Sequence, residues 1–132
     1  MYKIILCAIE ASEEGKEVLS KAIELSNIYG SKLLVINVLP YTLLPKNYQK
    51  ALKEDISPKV EEMISSFGIP KKNCFIKVGK PYEIICKVAE KQEVDLILLG
   101  THSKKGLKSV IGSTATGVAN YAKCDVSLIR VS

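Results

Sequence analysis

A loop rich in small polar residues and lysine carries the chemistry that this sequence suggests most clearly. It runs from Gly100 to Thr114, after the apolar residues 96–99 and before a helical spacing of small apolar residues at Ala115, Val118, Ala119 and Ala122. Glycines let a backbone approach a ligand, hydroxyls and amides donate hydrogen bonds, and the positive end of a following helix favours negative charge. We therefore predict that the loop binds an anion, with phosphate as the favoured ligand.

This loop differs from the two best-defined phosphate-binding patterns. A P-loop of the form Gly-x4-Gly-Lys-Ser/Thr would need a glycine where Lys105 stands, and no Gly-x-Gly-x-x-Gly follows the first apolar run. The sequence thus excludes a P-loop enzyme and a standard dinucleotide-binding protein.

For each of the other polar residues of the loop, the sequence is compatible with two roles. His102, the only histidine, could transfer protons near neutral pH or could be a solvated loop residue, and no acid or nucleophile pairs with it in a recognisable triad. Ser113 and Thr114 could bind phosphate or cap the following helix. Three lysines could offset phosphate charge or face water: Lys104, Lys105 and Lys108.

Composition narrows the class of protein. The 132 residues, of which 47% are hydrophobic and 25% charged, are typical of one soluble domain, which we place at 1–132. No apolar run approaches the ~20 residues of a membrane span. The net charge of +5 is compatible with anion binding, but six tyrosines and two phenylalanines do not alternate with the lysines, so we expect no nucleic-acid partner.

The cysteines indicate a reducing compartment. They lie far apart, with no Cys-x-x-Cys pair and no neighbouring histidine, so neither zinc nor a redox dithiol is suggested. We predict that they are reduced core residues of a cytoplasmic protein: Cys7, Cys74, Cys86 and Cys124.

Apolar runs and helical spacings alternate along the chain. Buried-strand patterns occur at 4–9, 33–38, 73–78, 96–99 and 126–131, and a helical segment lies between each pair. Ser12 should cap the first helix and Gly30 should end it. Pro58 either begins the second helix or lies inside a longer, kinked one.

The alternation predicts an α/β fold, a doubly wound five-stranded parallel sheet with helices on both faces and the strand order 3-2-1-4-5. Ligands bind where such an order reverses, between strands one and four. Glu10 follows strand one and Gly100 ends strand four, so both should face one cleft. Glu10 could be a base, a metal ligand or a hydrogen-bond acceptor, or could simply interact with the helix dipole.

At these residues the sequence resembles the universal stress protein family over nearly the whole chain. The family's opening is similar to the stretch KIILCAIEASEEG. Its third helix, fourth strand and the loop after them are similar to GKPYEIICKVAEKQEVDLILLGTHSKKGLK. Its closing helix and strand are similar to GSTATGVANYAKCDVSLIRV. The resemblance implies the 3-2-1-4-5 sheet and a homodimer paired through the last strand. It also implies ATP binding, which one branch of the family shows and another lacks.

The ATP-binding branch has a glycine, two residues, a glycine, nine residues and then Gly-Ser or Gly-Thr. Gly100, Gly112 and Ser113 match this pattern, Ser103 replaces the middle glycine, and the loop is one residue short. Glu10 stands where the family has an aspartate that contacts the adenosine part of the nucleotide.

We therefore predict a cytoplasmic, homodimeric universal stress protein that binds ATP or AMP, with magnesium accompanying ATP. No catalysis is expected, because no acid and base are visibly paired. The alternative is a stress-response dimer that binds no nucleotide and acts through protein partners. The predicted nucleotide-binding residues are Ala8, Ile9, Glu10, Val38, Leu99, Gly100, His102, Ser103, Gly112, Ser113 and Thr114.

Overall fold

Strands and helices alternate throughout the part of the chain that the computed structural model describes, residues 1–40, 45–101 and 112–131. A short 3-10 helix, Lys71–Asn73, precedes the third strand. The remaining elements are β1 (Ile4–Ala8), α1 (Glu13–Tyr29), β2 (Lys32–Pro40), α2 (Lys46–Ser66), β3 (Cys74–Gly79), α3 (Pro81–Lys91), β4 (Leu96–Gly100), α4 (Ser113–Tyr121) and β5 (Asp125–Ile129).

All five strands form one parallel sheet in the order β3-β2-β1-β4-β5, which confirms the predicted topology. β1 is central, and its Cys7 lies between Val35 of β2 and Leu98 of β4. The order reverses direction between β1 and β4, so the carboxyl ends of these strands flank the switch point.

Helices cover both faces of the sheet, as predicted. One buried cluster combines α1 and α2, including Ile64, and the other combines α3 and α4, including Ile85. Successive residues of β1 pack into opposite clusters: Leu6 lies in the cluster with α3 and α4, and Cys7 lies in the cluster with α1 and α2. A strand buried on both faces has this pattern, which explains the continuous apolar run in the sequence.

The ends of α1 are where the sequence placed them. Ser12 is the N-cap, and its side chain accepts a hydrogen bond from the Gly15 N–H at 3.2 Å. Gly30 ends the helix with φ +65°, a left-handed conformation that favours glycine. α2 passes through Pro58 as one helix, so the prediction of a longer helix is correct and the alternative, in which Pro58 begins the helix, is wrong.

β2 is longer than predicted. Leu39 and Pro40 continue the strand because they pair with Val78 and Gly79 of β3, a neighbour that local patterns do not reveal. Among the helices that the structure describes, none has both the length and the apolarity needed to cross a membrane.

Candidate functional site

A cavity of about 400 Å³ opens at the carboxyl edge of the sheet. Its wall includes the ends of β1, β2 and β4, the first turns of α1 and α4, one residue of α2 and two residues of α3. Open α/β sheets bind ligands at this edge, outside the strand ends at the switch point. The cavity is therefore the candidate site.

Most of the described residues that were predicted to bind nucleotide lie in this wall: Ala8, Ile9, Glu10, Val38, Leu99, Gly100, Gly112 and Thr114. Ser113 has an exposed side chain and does not line the cavity. The predictions for His102 and Ser103, and those for the loop lysines Lys104, Lys105 and Lys108, fall outside the described residues. A nucleotide-binding role for these residues stays a prediction.

The start of α4 is built to meet an anion. Gly112, which has no side chain that could accept a hydrogen bond, is its N-cap, so the alternative role of Ser113 and Thr114 as caps is wrong. The carbonyl of Gly112 accepts hydrogen bonds from the Thr116 N–H and hydroxyl, both at 3.1 Å. Gly112, Thr114 and Ala115 all line the cavity. The amides of a helix start and the positive end of its dipole thus lie in the wall, where they favour negative charge.

The turn between β1 and α1 is held by close backbone packing. The Ser12 N–H donates to the Glu10 carbonyl at 2.9 Å, and the same carbonyl lies against Gly15 of α1. An ideal Cβ at Gly15 would lie 1.8 Å from that oxygen, so only glycine fits. Sequence reasoning missed Gly15 because an ordinary helix position and this close approach look alike in the sequence.

The peptide N–H and C=O groups of Val38, on β2, lie beside the carboxyl end of the neighbouring strand β1. The Ile9 N–H donates to the Ile36 carbonyl at 3.0 Å, so the backbone of Ile36 faces β1. Peptide groups two residues apart in a strand point to the same side, so those of Val38 face the space into which β1 would continue. A donor and an acceptor in this arrangement can bind the edge of a planar base.

Asn37 is a buried polar residue in the same wall, and sequence reasoning missed it. Its side chain is 5% exposed, and its Nδ2 donates to the Ile9 carbonyl at 2.8 Å. A carbonyl oxygen only accepts hydrogen bonds, so the Nδ2 must face Ile9. The Oδ1 then has no hydrogen-bond partner within the described part of the chain. An asparagine at a buried strand position was the only signal in the sequence.

Burial disfavours the deprotonated, reactive form of the thiols. All four cysteines are free, and burial raises the pKa of the Cys7 thiol to about 12 and that of Cys74 to about 11. Thiols with such pKa values stay protonated near neutral pH. Within residues 1–40, 45–101 and 112–131, no group of three or more His, Cys, Asp or Glu side chains could hold a metal ion.

The fold and cavity together define a doubly wound α/β protein with a ligand-sized site at its switch point. The family model described as "Universal stress protein family" matches residues 1–130, and the chain belongs to that family.

Relatives and solved structures agree with this assignment. A curated relative from Thermus aquaticus, "Universal stress protein in QAH/OAS sulfhydrylase 3'region", is 30% identical over 98% of this chain and 100% of its own. The solved structure of hypothetical protein MJ0577 has a TM-score of 0.83 at 24% identity, covering 100% of this chain and 98% of the other. A universal stress protein described as being in complex with cAMP has a TM-score of 0.65 at 18% identity, covering 99% and 98%. At these identities the two structures show the shared fold.

Proposed function

We propose that this chain is a cytoplasmic stress-response module that binds an adenine nucleotide, ATP or AMP, in the cavity at the carboxyl edge of the sheet. The observation that carries the proposal is the composition of one cavity wall. The start of α4, with a glycine as its N-cap, lies on one side, and the peptide groups of Val38 lie on the other. The cAMP complex of a protein with the same fold supports a nucleotide as the ligand, and the four free cysteines suit a reducing cytoplasm.

The two sides of the wall suit the two ends of a nucleotide. Phosphate oxygens would accept hydrogen bonds from the amides at Gly112, Thr114 and Ala115. The sugar and base would lie toward Glu10 and Val38. This orientation follows from the strand order, because β4 leads toward α4 while β2 lies on the opposite side of β1.

Magnesium would enter with ATP. Mg²⁺ is commonly held by substrate phosphates and water in addition to one or two carboxylates, so it would lie on the phosphate side of the cavity. We further propose that the chain binds its ligand without turning it over. The described wall contains neither histidine nor cysteine, and hydrolysis would depend on metal-bound phosphate alone.

The first test fills the phosphate side of the cavity. The backbone of Gly112 has φ −77° and ψ 172°, angles that valine adopts freely, so Gly112→Val adds bulk without backbone strain. We expect calorimetry to give a micromolar Kd for ATP with magnesium in the unmodified protein, weakened at least about tenfold in Gly112→Val, which corresponds to ~1.4 kcal/mol. Ala119→Val, on an exposed position of the same helix, is the control and should leave the Kd unchanged.

Two results would count against the proposal. Absence of binding heat from the unmodified protein with both ATP and AMP would favour the alternative function, a dimer acting through protein partners. Steady release of phosphate from ATP by the pure protein would contradict binding without turnover.

A homodimer through the last strand is part of the proposal, and the position of β5 supports it. β5 is an edge strand, and its Leu128 is 38% exposed. Unpaired strand edges favour pairing with another chain.

Placing a charge on β5 tests the dimer. Leu128→Glu should halve the mass measured by light scattering, because a carboxylate would be buried in the paired interface. Tyr48→Glu, at a 59% exposed position of α2, should keep the dimer mass. A monomer mass for the unmodified protein at micromolar concentration would refute pairing through β5.

A further inference from the structure

We infer that the amino edge of the sheet carries a second binding site, which takes a small organic cation, an ammonium group on an apolar body. The site is a cavity of about 450 Å³, a volume within the range of small-molecule sites. Its lining includes two tyrosines, Tyr2 and Tyr29, one carboxylate, Asp125, and apolar side chains of α1, β4 and β5. This site goes beyond the proposed nucleotide-binding function and does not depend on it.

The cavity is separate from the one that would hold a nucleotide. Tyr2 precedes β1, Leu96 begins β4, Asp125 begins β5, and Tyr29 is the last residue of α1. The strands of a parallel sheet all begin at the same edge, so these residues meet at the amino edge. Leu96 and Gly100 are the two ends of β4, about 13 Å apart along the strand, and they line the two different cavities.

Two aromatic rings and a carboxylate lie together in this cavity. The ring centroids of Tyr2 and Tyr29 are 5.2 Å apart and their planes meet at 86°, an edge-to-face arrangement. The Tyr2 hydroxyl donates a hydrogen bond to Asp125 Oδ2 at 2.9 Å, which holds the carboxylate beside the rings. Because this hydrogen bond raises the pKa of the Tyr2 hydroxyl, Tyr2 stays neutral and the negative charge belongs to Asp125. Aromatic faces and carboxylates both attract cations.

The negative charge of this cavity has no counter-ion from the described part of the chain. None of the described lining residues is a lysine, arginine or histidine, and no described basic side chain forms an ion pair with Asp125. The last turn of α1, which ends at Tyr29, also lacks a basic residue, so the negative end of the helix dipole adds to the attraction for a cation. An ammonium group would bind beside Asp125, and its apolar body would pack on Leu25, Leu96 and Val126.

Benzylamine and benzyl alcohol test this site, because they have the same shape and only benzylamine is a cation near neutral pH. Both are titrated into ¹⁵N-labelled protein, and the amide chemical shifts are followed. Benzylamine should shift the amides of Leu25, Leu96 and Ser127 with a Kd of about 1–5 mM, which is ordinary for a ligand of eight non-hydrogen atoms. Benzyl alcohol should bind at least about fivefold more weakly, because it makes neither a cation–π contact nor an ion pair.

A matched pair of variants tests the carboxylate. Asp125→Asn removes the charge but keeps an oxygen that can accept from Tyr2, and it should weaken benzylamine binding about fivefold. Asp55→Asn removes the same charge from an exposed position of α2 outside the cavity and should leave the Kd unchanged. Tyr29→Leu, at the exposed end of α1, should weaken benzylamine about threefold and provides a second test if Asp125→Asn fails to fold.

Four results would overturn the inference. The first is the absence of any saturable shift with benzylamine, and the second is an equal Kd for the two probes. The third is equal weakening by Asp125→Asn and Asp55→Asn, which would reflect a general attraction of cations to surface carboxylates. The fourth is a set of shifts confined to Ala8, Gly100 and their neighbours, which would place the probe in the other cavity. Nucleotide binding is measured separately with ATP and AMP, so it stands or falls independently of these results.

Discussion

Gly15→Ala is expected to lower the free energy of unfolding by about 3 kcal/mol and to weaken nucleotide binding. The added Cβ would lie 1.8 Å from the Glu10 carbonyl oxygen and 2.9 Å from its carbon, both backbone atoms. Overpacking against backbone forces main-chain shifts, which places the cost at the upper end of the usual ~1–3 kcal/mol. Because Glu10, Ala11 and Ser12 line the cavity, a shift of this turn also reshapes the site.

Whether Gly15→Ala lowers or raises the free energy of unfolding distinguishes close backbone packing from simple helix propensity. Alanine stabilises a helix interior over glycine by about 1 kcal/mol, so helix propensity alone predicts that Gly15→Ala stabilises the protein. Urea denaturation separates the two expectations. Ser20→Ala, on an exposed position of the same helix, is the control and should change stability by less than ~0.5 kcal/mol. An unchanged or higher denaturation midpoint for Gly15→Ala would disprove the close packing of Gly15 on Glu10.

Leu98→Ala should cost about 4 kcal/mol of unfolding free energy. Leu98 is fully buried in β4, opposite Cys7 of β1 and Ser127 of β5. Truncating a buried leucine removes hydrophobic burial and leaves a cavity, with typical losses of ~2–5 kcal/mol, and the centre of a sheet covered on both faces relaxes little. β4 ends at Gly100, which lines the candidate site, so destabilising this strand also destabilises part of the cavity wall.

Thermal or urea unfolding measures this loss, with an exposed aliphatic residue as the comparison. Ile28 is 71% exposed on α1, and Ile28→Ala should change stability by less than ~0.5 kcal/mol. If Leu98→Ala and Ile28→Ala lowered the free energy of unfolding by similar amounts, the side chain of Leu98 would not lie in a tightly packed core.

Local chemistry made much of the fold predictable. Two apolar runs on β1 and β4 signalled strands buried on both faces, and Ser12 and Gly30 marked the ends of α1. The repeated alternation of strand and helix then favoured one topology, because parallel connections are right-handed and ligands bind where the strand order reverses. The same reasoning placed Glu10 and Gly100 at one edge, where the structure has them lining a single cavity.

Features that depend on approach between separate segments were missed or misjudged. The continuation of β2 through Pro40 depends on its pairing with β3. Asn37 donates a hydrogen bond to the carbonyl of Ile9, 28 positions away in the sequence. The sequence alone does not distinguish this asparagine from any other polar residue within an apolar run.

By itself, then, the sequence determined the elements, their order and the edge of the sheet that could hold a ligand, since caps, turns and apolar periodicity act over a few neighbouring residues. Only the tertiary structure decided which backbone atoms press against Gly15 and which end of the Asn37 amide bonds to Ile9. Steric contact and hydrogen-bond saturation depend on distances between folded segments, and those distances exist only once the sheet and its helices have assembled.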